Sequence, residues 1–493
     1  MGYEGPMIRK TEFTYQLPKS YSPDMRTDGL VYTSSKLLEH VLREEALQQV
    51  ANVASLPGIV GDSMAMPDIH WGYGFPIGGV AATDMEDGVI SPGGVGYDIN
   101  CGVRMLATEL TLGDVEGRIK ALADDIYSNV PSGLGSKGRV RVSREMLDDV
   151  LNLGAVWTVE NGYGFKGDLE RLEENGNFED ADPSVVGERA KRRGMPQLGS
   201  LGAGNHFLEI QKVSEIIDPK AAKVFHLNDP DQIVVMIHTG SRGCGYQICQ
   251  DQIDSLSRNF RKEGRYFVSD KYGIKLPDRQ LVCAPLQSVD GKNYFKAMKC
   301  AANYAWANRQ MITHWIRDSF QTVLGRDFGE IRMDIIYDVA HNIAKQETYE
   351  IEGEKRELVV HRKGATRSLG PGNRNVTERY RDIGQPVIIP GDMGTASFLL
   401  RGTVEAEKST FGSTCHGAGR LSSRSAARKR FRGREVINEL AKKGIYVRAH
   451  SEKVAAEEAP QVYKDIEEVV NVTHGAGISM KVAKMKPLAV VKG

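Results

Sequence analysis

Ile233-Val234-Val235-Met236-Ile237 is an unbroken apolar run that passes without a spacer into His238-Thr239-Gly240-Ser241-Arg242-Gly243. A short apolar run bounded by a glycine turn predicts a buried strand. Two further runs repeat the pattern. Ile335-Ile336-Tyr337 leads into Asp338-Val339-Ala340-His341-Asn342, and Pro386-Val387-Ile388-Ile389 leads into Pro390-Gly391-Asp392-Met393-Gly394-Thr395-Ala396-Ser397. In each case the polar, chemistry-bearing residues begin where the apolar run stops. Helical spacing of apolar residues marks 38–53, 114–128, 294–323 and 419–443. Strands and helices do not alternate regularly, so the expected architecture is α+β with mixed sheets, not a doubly wound parallel sheet.

The chain has 493 residues, 41% of them apolar, enough for a large core. Length alone would allow roughly three domains. No fixed-period repeat and no long Pro/Ser/Gly linker divides it. Residues 1–493 are therefore expected to form one large compact domain, with polar surface excursions near 165–196 and 350–382. Acidic and basic residues balance at 64 each, so the whole molecule offers no net field to attract nucleic acid or an anionic membrane. Any anionic ligand must be gripped locally. Six dispersed cysteines without a CxxC pair read as reduced thiols. The first residues lack a signal-peptide pattern, and no apolar run approaches the ~20 residues of a membrane span. The expectation is a cytoplasmic protein with no membrane attachment.

Glycine, at 53 residues, clusters around the polar groups that could carry chemistry. In Ser91-Pro92-Gly93-Gly94-Val95-Gly96-Tyr97-Asp98-Ile99-Asn100-Cys101-Gly102, a carboxylate and a thiol three residues apart could turn toward one metal. The same segment also reads as a turn around a buried Cys. Leu201-Gly202-Ala203-Gly204-Asn205-His206-Phe207-Leu208-Glu209 offers an amide, an imidazole and a carboxylate, as ligands, as an acid/base cluster or as hydrogen-bonded structural groups. His238 with Ser241 and Arg242 suits an oxyanion, and His341 sits beside groups able to orient it. The segment 390–397 could form a nest of backbone N–H donors around a phosphate, although it is not a P-loop. Cys415-His416-Gly417-Ala418-Gly419-Arg420 precedes the basic run Ser423-Arg424-Ser425-Ala426-Ala427-Arg428-Lys429-Arg430. Together these segments supply three histidines, one Asp and one Cys as candidate ligands, one further His and several arginines. The combination points to metal-assisted chemistry on a phosphate.

The segments Gly96 to Gly102, Gly204 to Phe207, His238 to Gly243, Asp338 to Asn342 and His416 to Arg420 occur in the order and approximate spacing of the RtcB-type RNA-splicing ligases. The chain resembles that family from its first strand region to Lys492-Gly493. The resemblance implies an RtcB-like fold and a GTP-dependent enzyme that joins an RNA 3′-phosphate or 2′,3′-cyclic phosphate end to a 5′-hydroxyl end, in tRNA splicing and RNA repair. It implies two Mn²⁺ ions, one held by Asp98, Cys101 and His206, the other by Cys101, His238 and His341. His416 would carry GMP covalently. Asn205, Glu209, Asn342, Pro390, Gly391, Asp392, Met393, Ser397, Gly417, Ala418, Gly419, Tyr463 and Lys492 match its guanine-nucleotide contacts. By the same resemblance the partners are RNA, with tRNA exon halves foremost, and an archease-type activating protein, and the enzyme would act as a monomer.

Ligand softness alone, with one Cys and three His, suits zinc as readily as manganese. Arg192, Arg193, Arg242, Arg420, Arg424 and Arg428 are the candidates for RNA phosphates, because guanidinium binds phosphate bidentately. Asp68 and His70, in Met66-Pro67-Asp68-Ile69-His70-Trp71-Gly72, look functional but acquire no role from sequence. Two other classes stay open at this stage: a metal-dependent phosphoesterase that forms no protein–nucleotide bond, and a non-catalytic RNA-binding protein.

Overall fold

The computed structural model describes residues 3–493. The run from Ile233 lies within a strand, Gln232–Thr239, whose residues are all buried. Its β-branched side chains pack on both faces, which is why the sequence there is apolar without alternation. The strand belongs to an eight-stranded sheet. In spatial order this runs Asp334–Ala340, Gly102–Thr111, Gln232–Thr239, Phe207–Ile216, Met480–Lys492, Ser397–Arg401 and Pro386–Ile389, with Tyr446–Ala449 pairing Met480–Lys492 in parallel. A second sheet of seven strands runs Ile8–Arg9, Thr14–Leu17, Gly29–Tyr32, Ile59–His70, Ile77–Asp84, Glu354–Lys363 and Asn342–Ile351. It is mixed as well, since Gly29–Tyr32 and Ile59–His70 run parallel. The α+β expectation holds. The chain crosses from an edge of one sheet to an edge of the other between Ala340 and Asn342, and His341 is the single residue at the crossing.

The helical pattern at 294–323 is one 36-residue helix, Val289–Leu324. Ser288 caps it by accepting the Gly291 N–H at 3.0 Å, and Gly325, at φ 64° in the left-handed region, ends it. This helix is buried on nearly every side, so its polar residues must find partners inside the protein. Asn308 accepts the Gly199 and Ser200 N–H groups at 2.8 and 3.1 Å and donates to the Ser200 carbonyl at 3.1 Å. Arg317 donates both arms of its fork to Asp168 at 2.7 and 2.8 Å.

Three helical expectations are corrected in their extent. The 114–128 pattern splits into Leu112–Val115 and Ile119–Asn129, because Glu116 leaves the helical conformation. The 38–53 pattern splits into Ser35–Arg43 and Ala46–Val53, because Glu44 is extended. The 419–443 pattern splits into Arg424–Arg430 and Gly433–Lys442, and its first residues form a loop that Ser423 ends by capping Ala426 N–H at 3.2 Å. The polar stretches are surface excursions only in part. Within 165–196, Asp168 and Glu173 are buried against Arg317 and Lys345. Within 350–382, Glu354–Lys363 is an interior strand of the seven-stranded sheet, and its Arg362 is fully buried against Glu347 at 2.7 Å. Charge in these stretches is paired inside the protein as well as solvated outside it. Among the described residues no helix is long and apolar enough to cross a membrane.

Burial alone would raise the Asp168 carboxyl, but the hydrogen bond and charge of Arg317 hold it below its ordinary value. A carboxylate whose pKa falls on folding contributes stability that is complete above its unfolded pKa and is lost as pH drops through the native one. Asp168→Ala is therefore expected to cost about 3–5 kcal/mol in urea denaturation at neutral pH, as for other broken buried pairs. The gap between wild type and variant should close as pH is lowered below about 4.

Candidate active site

Antiparallel pairing brings four polar segments to one end of the eight-stranded sheet. Cys101 immediately precedes Gly102, which lies opposite both Thr239 and Ala340. His238 lies opposite Val103 on one side and Phe207 on the other. His206 immediately precedes Phe207, and His341 immediately follows Ala340. Two strand starts and two strand ends therefore sit side by side, at the spacing of about 4.8 Å that separates paired strands.

The outcome is two overlapping groups, Asp98, Cys101 and His206, and Cys101, His238 and His341, each with its ligand atoms within 4.8 Å of one another. His206 Nε2 is 2.7 Å from Asp98 Oδ2. Cys101 Sγ is 3.5 Å from His206 Nε2 and 3.3 Å from His238 Nε2, which is in turn 3.3 Å from His341 Nε2. Burial, and then the neighbouring imidazoles, push His238 and His341 well below the ordinary histidine range. Their rings are neutral, as ligands must be. Burial and then the Asp98 charge push the Cys101 thiol up, so a cation entering here displaces its proton. Converging imidazole nitrogens, a sulfur shared by both groups and a carboxylate oxygen fit a pair of divalent transition-metal ions.

One side chain that sequence reading passed over ties these segments together. Arg309, fully buried on the long helix, donates to the Asn100 and Thr239 carbonyls at 2.8 and 2.9 Å and to Asn100 Oδ1 at 3.1 Å. Its remaining donors clasp both oxygens of Asp338 at 2.8 and 2.7 Å. Asn100, at φ 53°, stands between Asp98 and Cys101; Thr239 follows His238; Asp338 is three residues before His341. Arg104 shares Asp338 at 2.7 Å.

Beside the cluster opens a cleft of about 810 Å³. His416 enters it from the end of the strand Ser413–Cys415, with its ring centroid 4.8 Å from that of His341. The His416 Nδ1 is hydrogen-bonded to a carboxylate oxygen of fully buried Asp68, and its backbone N–H donates to the same oxygen at 3.1 Å. A carboxylate only accepts, so Nδ1 carries a proton, and in the neutral ring the lone pair is on Nε2. Asp68 thus gains the role that its sequence could not supply. Gly419 is required by the same contact: its φ is 74°, and a Cβ there would lie 2.4 Å from the Asp68 carbonyl. His70 Nδ1 lies 2.9 Å from that carbonyl oxygen, and burial holds its ring near a pKa of about 3, so it is neutral.

The expected nucleotide contacts gather here. Asn205, Glu209, Asn342, the loop from Pro390 to Met393, the segment Gly417 to Gly419, Tyr463 and Lys492 all line the cleft. Ser397 does not. It stands behind the wall, where its hydroxyl accepts from Gln211 at 3.1 Å and from Gly391 N–H at 3.4 Å. Burial raises the Glu209 carboxyl to about 8, which leaves it protonated and able to donate. Glu458, missed in the sequence, is fully buried at the opposite wall. Burial opposes its charge, but Lys492, Arg420 and Arg424 hold its pKa down at about 2. Of the arginine candidates, Arg420 and Arg424 line the cleft, and Arg420 spends its guanidinium on Glu458 at 3.1 Å and on the Glu457 carbonyl at 2.7 Å. Arg242 lies behind Asp98 and donates to Ser200 at 3.2 Å, Arg193 is bonded to Gln247 at 2.9 Å, and Arg192 and Arg428 are exposed outside the cleft.

A cluster able to hold metal ions, beside a histidine oriented by a carboxylate in a glycine-walled cleft, is an arrangement suited to a metal-assisted enzyme. The family model for the tRNA-splicing ligase RtcB matches residues 49–493, and the chain belongs to that family. It is 57% identical to the tRNA-splicing ligase RtcB of Methanococcus maripaludis over 482 residues, covering 98% of each chain. It is 52% identical to the RtcB of Archaeoglobus fulgidus over 493 residues, all of both chains, and 54% identical to that of Thermococcus kodakarensis, covering 99% of each.

If Arg309 sets the positions of the ligand-bearing segments, Arg309→Lys, which keeps the charge and loses the fork, should stay folded but bind divalent cations about 10–100-fold more weakly. Metal content after dialysis against buffered cation reads this directly. Arg317→Lys, on the same helix but bonded to Asp168, should load like the wild type.

Proposed function

We propose that the protein is a GTP-dependent RNA ligase that joins an RNA 3′-phosphate or 2′,3′-cyclic phosphate end to a 5′-hydroxyl end, with tRNA exon halves as its principal substrate and broken RNA as another. Family membership and the names of the relatives support the reaction class. The observation that carries the mechanism is the bond between Asp68 and His416 Nδ1, which in the neutral ring places the proton on Nδ1 and the lone pair on Nε2, next to the cluster.

In this reading His416 Nε2 attacks the α-phosphorus of GTP. A P–N bond forms, the bond from that phosphorus to the bridging oxygen breaks, and pyrophosphate leaves with the electron pair. Asp68 stabilises the positive charge that develops on the ring, as a carboxylate does for any imidazole that becomes cationic in the transition state. An oxygen of the RNA 3′-phosphate then attacks the same phosphorus and the electron pair of the P–N bond returns to His416. The 5′-hydroxyl oxygen finally attacks the RNA phosphorus, its proton passing to solvent; the new ester bond forms as the bond from that phosphorus to the GMP oxygen breaks, and GMP leaves with the electron pair. A cyclic phosphate is first opened by water. Asp98, Cys101, His206, His238 and His341 would hold two cations, manganese by family resemblance, which when bound neutralise the charge gathering on the phosphate oxygens. Protonated Glu209, the loop from Pro390 to Met393 and the Lys492 cation provide donors for the nucleotide, while Tyr463 offers an aromatic wall.

Incubation with GTP labelled at the α-phosphate and Mn²⁺ should put acid-labile label on the wild-type protein and none on His416→Ala. Asp68→Asn keeps a hydrogen bond but presents the wrong partner to Nδ1, and its labelling rate should fall by about 10² or more. A metal-loaded, folded wild-type chain that takes no label would leave a phosphoesterase as the better reading.

A further inference from the structure

Past the cleft, the chain from Arg424 to Arg434 carries six cations in eleven residues, Arg424, Arg428, Lys429, Arg430, Arg432 and Arg434, with no carboxylate until Glu435. In a chain with no net charge, this is a concentrated local excess. Arg424 and Arg428 are partnered by Glu458 at 3.4 Å and Glu457 at 3.2 Å. Among the described residues, the other four make no ion pair with any carboxylate, and all four are exposed.

A second cleft, of about 740 Å³, opens in this region, between the helices Arg424–Arg430, Gly433–Lys442 and Glu452–Glu457. Its walls carry four cations, Arg428, Arg432, Arg434 and Lys453, against two carboxylates, and include the half-buried ring of Phe431. The Arg430 guanidinium lies 5.1 Å from that ring's centre. Arg424 lines the reaction cleft and Arg428, one helical turn later, lines the second. Side chains four apart on a helix are neighbours, about 5–6 Å apart at Cβ. The two clefts are thus successive stations on one row of guanidinium groups.

We propose that the second cleft binds single-stranded RNA, a stretch of the substrate strand some nucleotides away from the end that reacts. Arg432, Arg434 and Lys453 contact phosphates, and Phe431 stacks with a base. A cationic groove interleaved with an aromatic ring is the general chemistry of sequence-tolerant single-strand binding. Phosphate contacts there fix the strand in register without reading its sequence. An acidic protein surface could pair with the same cations, but it would have no use for their continuity with the reaction cleft. The proposal rests on RNA being the substrate of that cleft.

The test compares binding of 3′-phosphate RNAs of about 6 and about 20 nucleotides to the full-length protein without GTP, over a range of salt, for the wild type, Arg432→Ala/Arg434→Ala and Phe431→Leu. For the long RNA, the double variant should bind about tenfold or more weakly, and its salt slope should fall by about 0.7 for each phosphate contact removed. Phe431→Leu should lose about fivefold or more on the long RNA with its salt slope unchanged. The short RNA should bind all three alike, and labelling of His416 by GTP should be unaffected. Equal losses on both lengths, or wild-type binding of the long RNA by the double variant, overturn the proposal, the second result pointing to a protein partner. Failure of the ligase reading would appear separately, as absence of labelling in the unaltered chain.

Discussion

Arg309 has five N–H donors, and all of them are spent on Asp338, Asn100 and the Thr239 carbonyl inside the protein. A fully buried guanidinium is tolerable only when paired and fully hydrogen-bonded. That requirement makes it informative about the architecture: the acceptors are the backbone and side chains that carry Cys101, His238 and His341. The planar fork demands a fixed relative position of three strand ends, and no other hydrogen-bonding residue type spans them with five donors in one plane. Asp338 in turn carries a second guanidinium, from Arg104. The helix Val289–Leu324 is therefore more than core filling, because through Arg309 and Asn308 it sets the geometry of the loops at the end of the sheet.

The cluster and the cleft solve opposite electrostatic problems. At the cluster, burial keeps His238 and His341 neutral and Cys101 protonated, so these three ligands are uncharged until a cation arrives, beside the charged carboxylate of Asp98. In the cleft wall a carboxylate, Glu458, stays charged because three cations surround it. That arrangement holds Lys492 and Arg420 in place and leaves a net positive wall. An anionic phosphate entering between the two regions meets positive charge at the wall of Lys492, Arg420 and Arg424, and at the cluster it would meet the cations those ligands are suited to hold.

The strands were legible because burial on both faces leaves no alternation to confuse the reading, as in Ile233 to Ile237, and His238 and His341, proposed as ligands, stood out because strands end beside them. What escaped was whatever depends on contact between distant segments. Asp68 lies 348 residues from His416, and no spacing in the sequence links them. Nothing in the sequence around Arg309 or Glu458 sets either residue apart from its neighbours. Their roles come from burial, which turns an ordinary charge into a demand for a partner. The polar stretches misled for the same reason: strand Glu354–Lys363 is rich in charge yet interior, because Arg362 finds Glu347 across the neighbouring strand.

His416 brings these constraints to one atom. A histidine in a buried metal site ordinarily becomes one more ligand, since its neutral Nε2 is as good a donor as its neighbours'. His341 and His416 are close enough for their rings to touch, yet they are held differently: the buried Nδ1 of His341 has no hydrogen-bond partner among the described residues, whereas that of His416 is bound to Asp68. A carboxylate at Nδ1 raises the basicity of the opposite nitrogen and stabilises the ring when it becomes cationic. Ligation profits from the added basicity as well, but only attack on phosphorus builds a positive charge on the ring that the carboxylate then stabilises. The asymmetry between the two rings is therefore chemical as well as positional: His341 sits within the ligand group with Cys101 and His238, whereas His416 stands outside it with a carboxylate placed to stabilise a cationic ring.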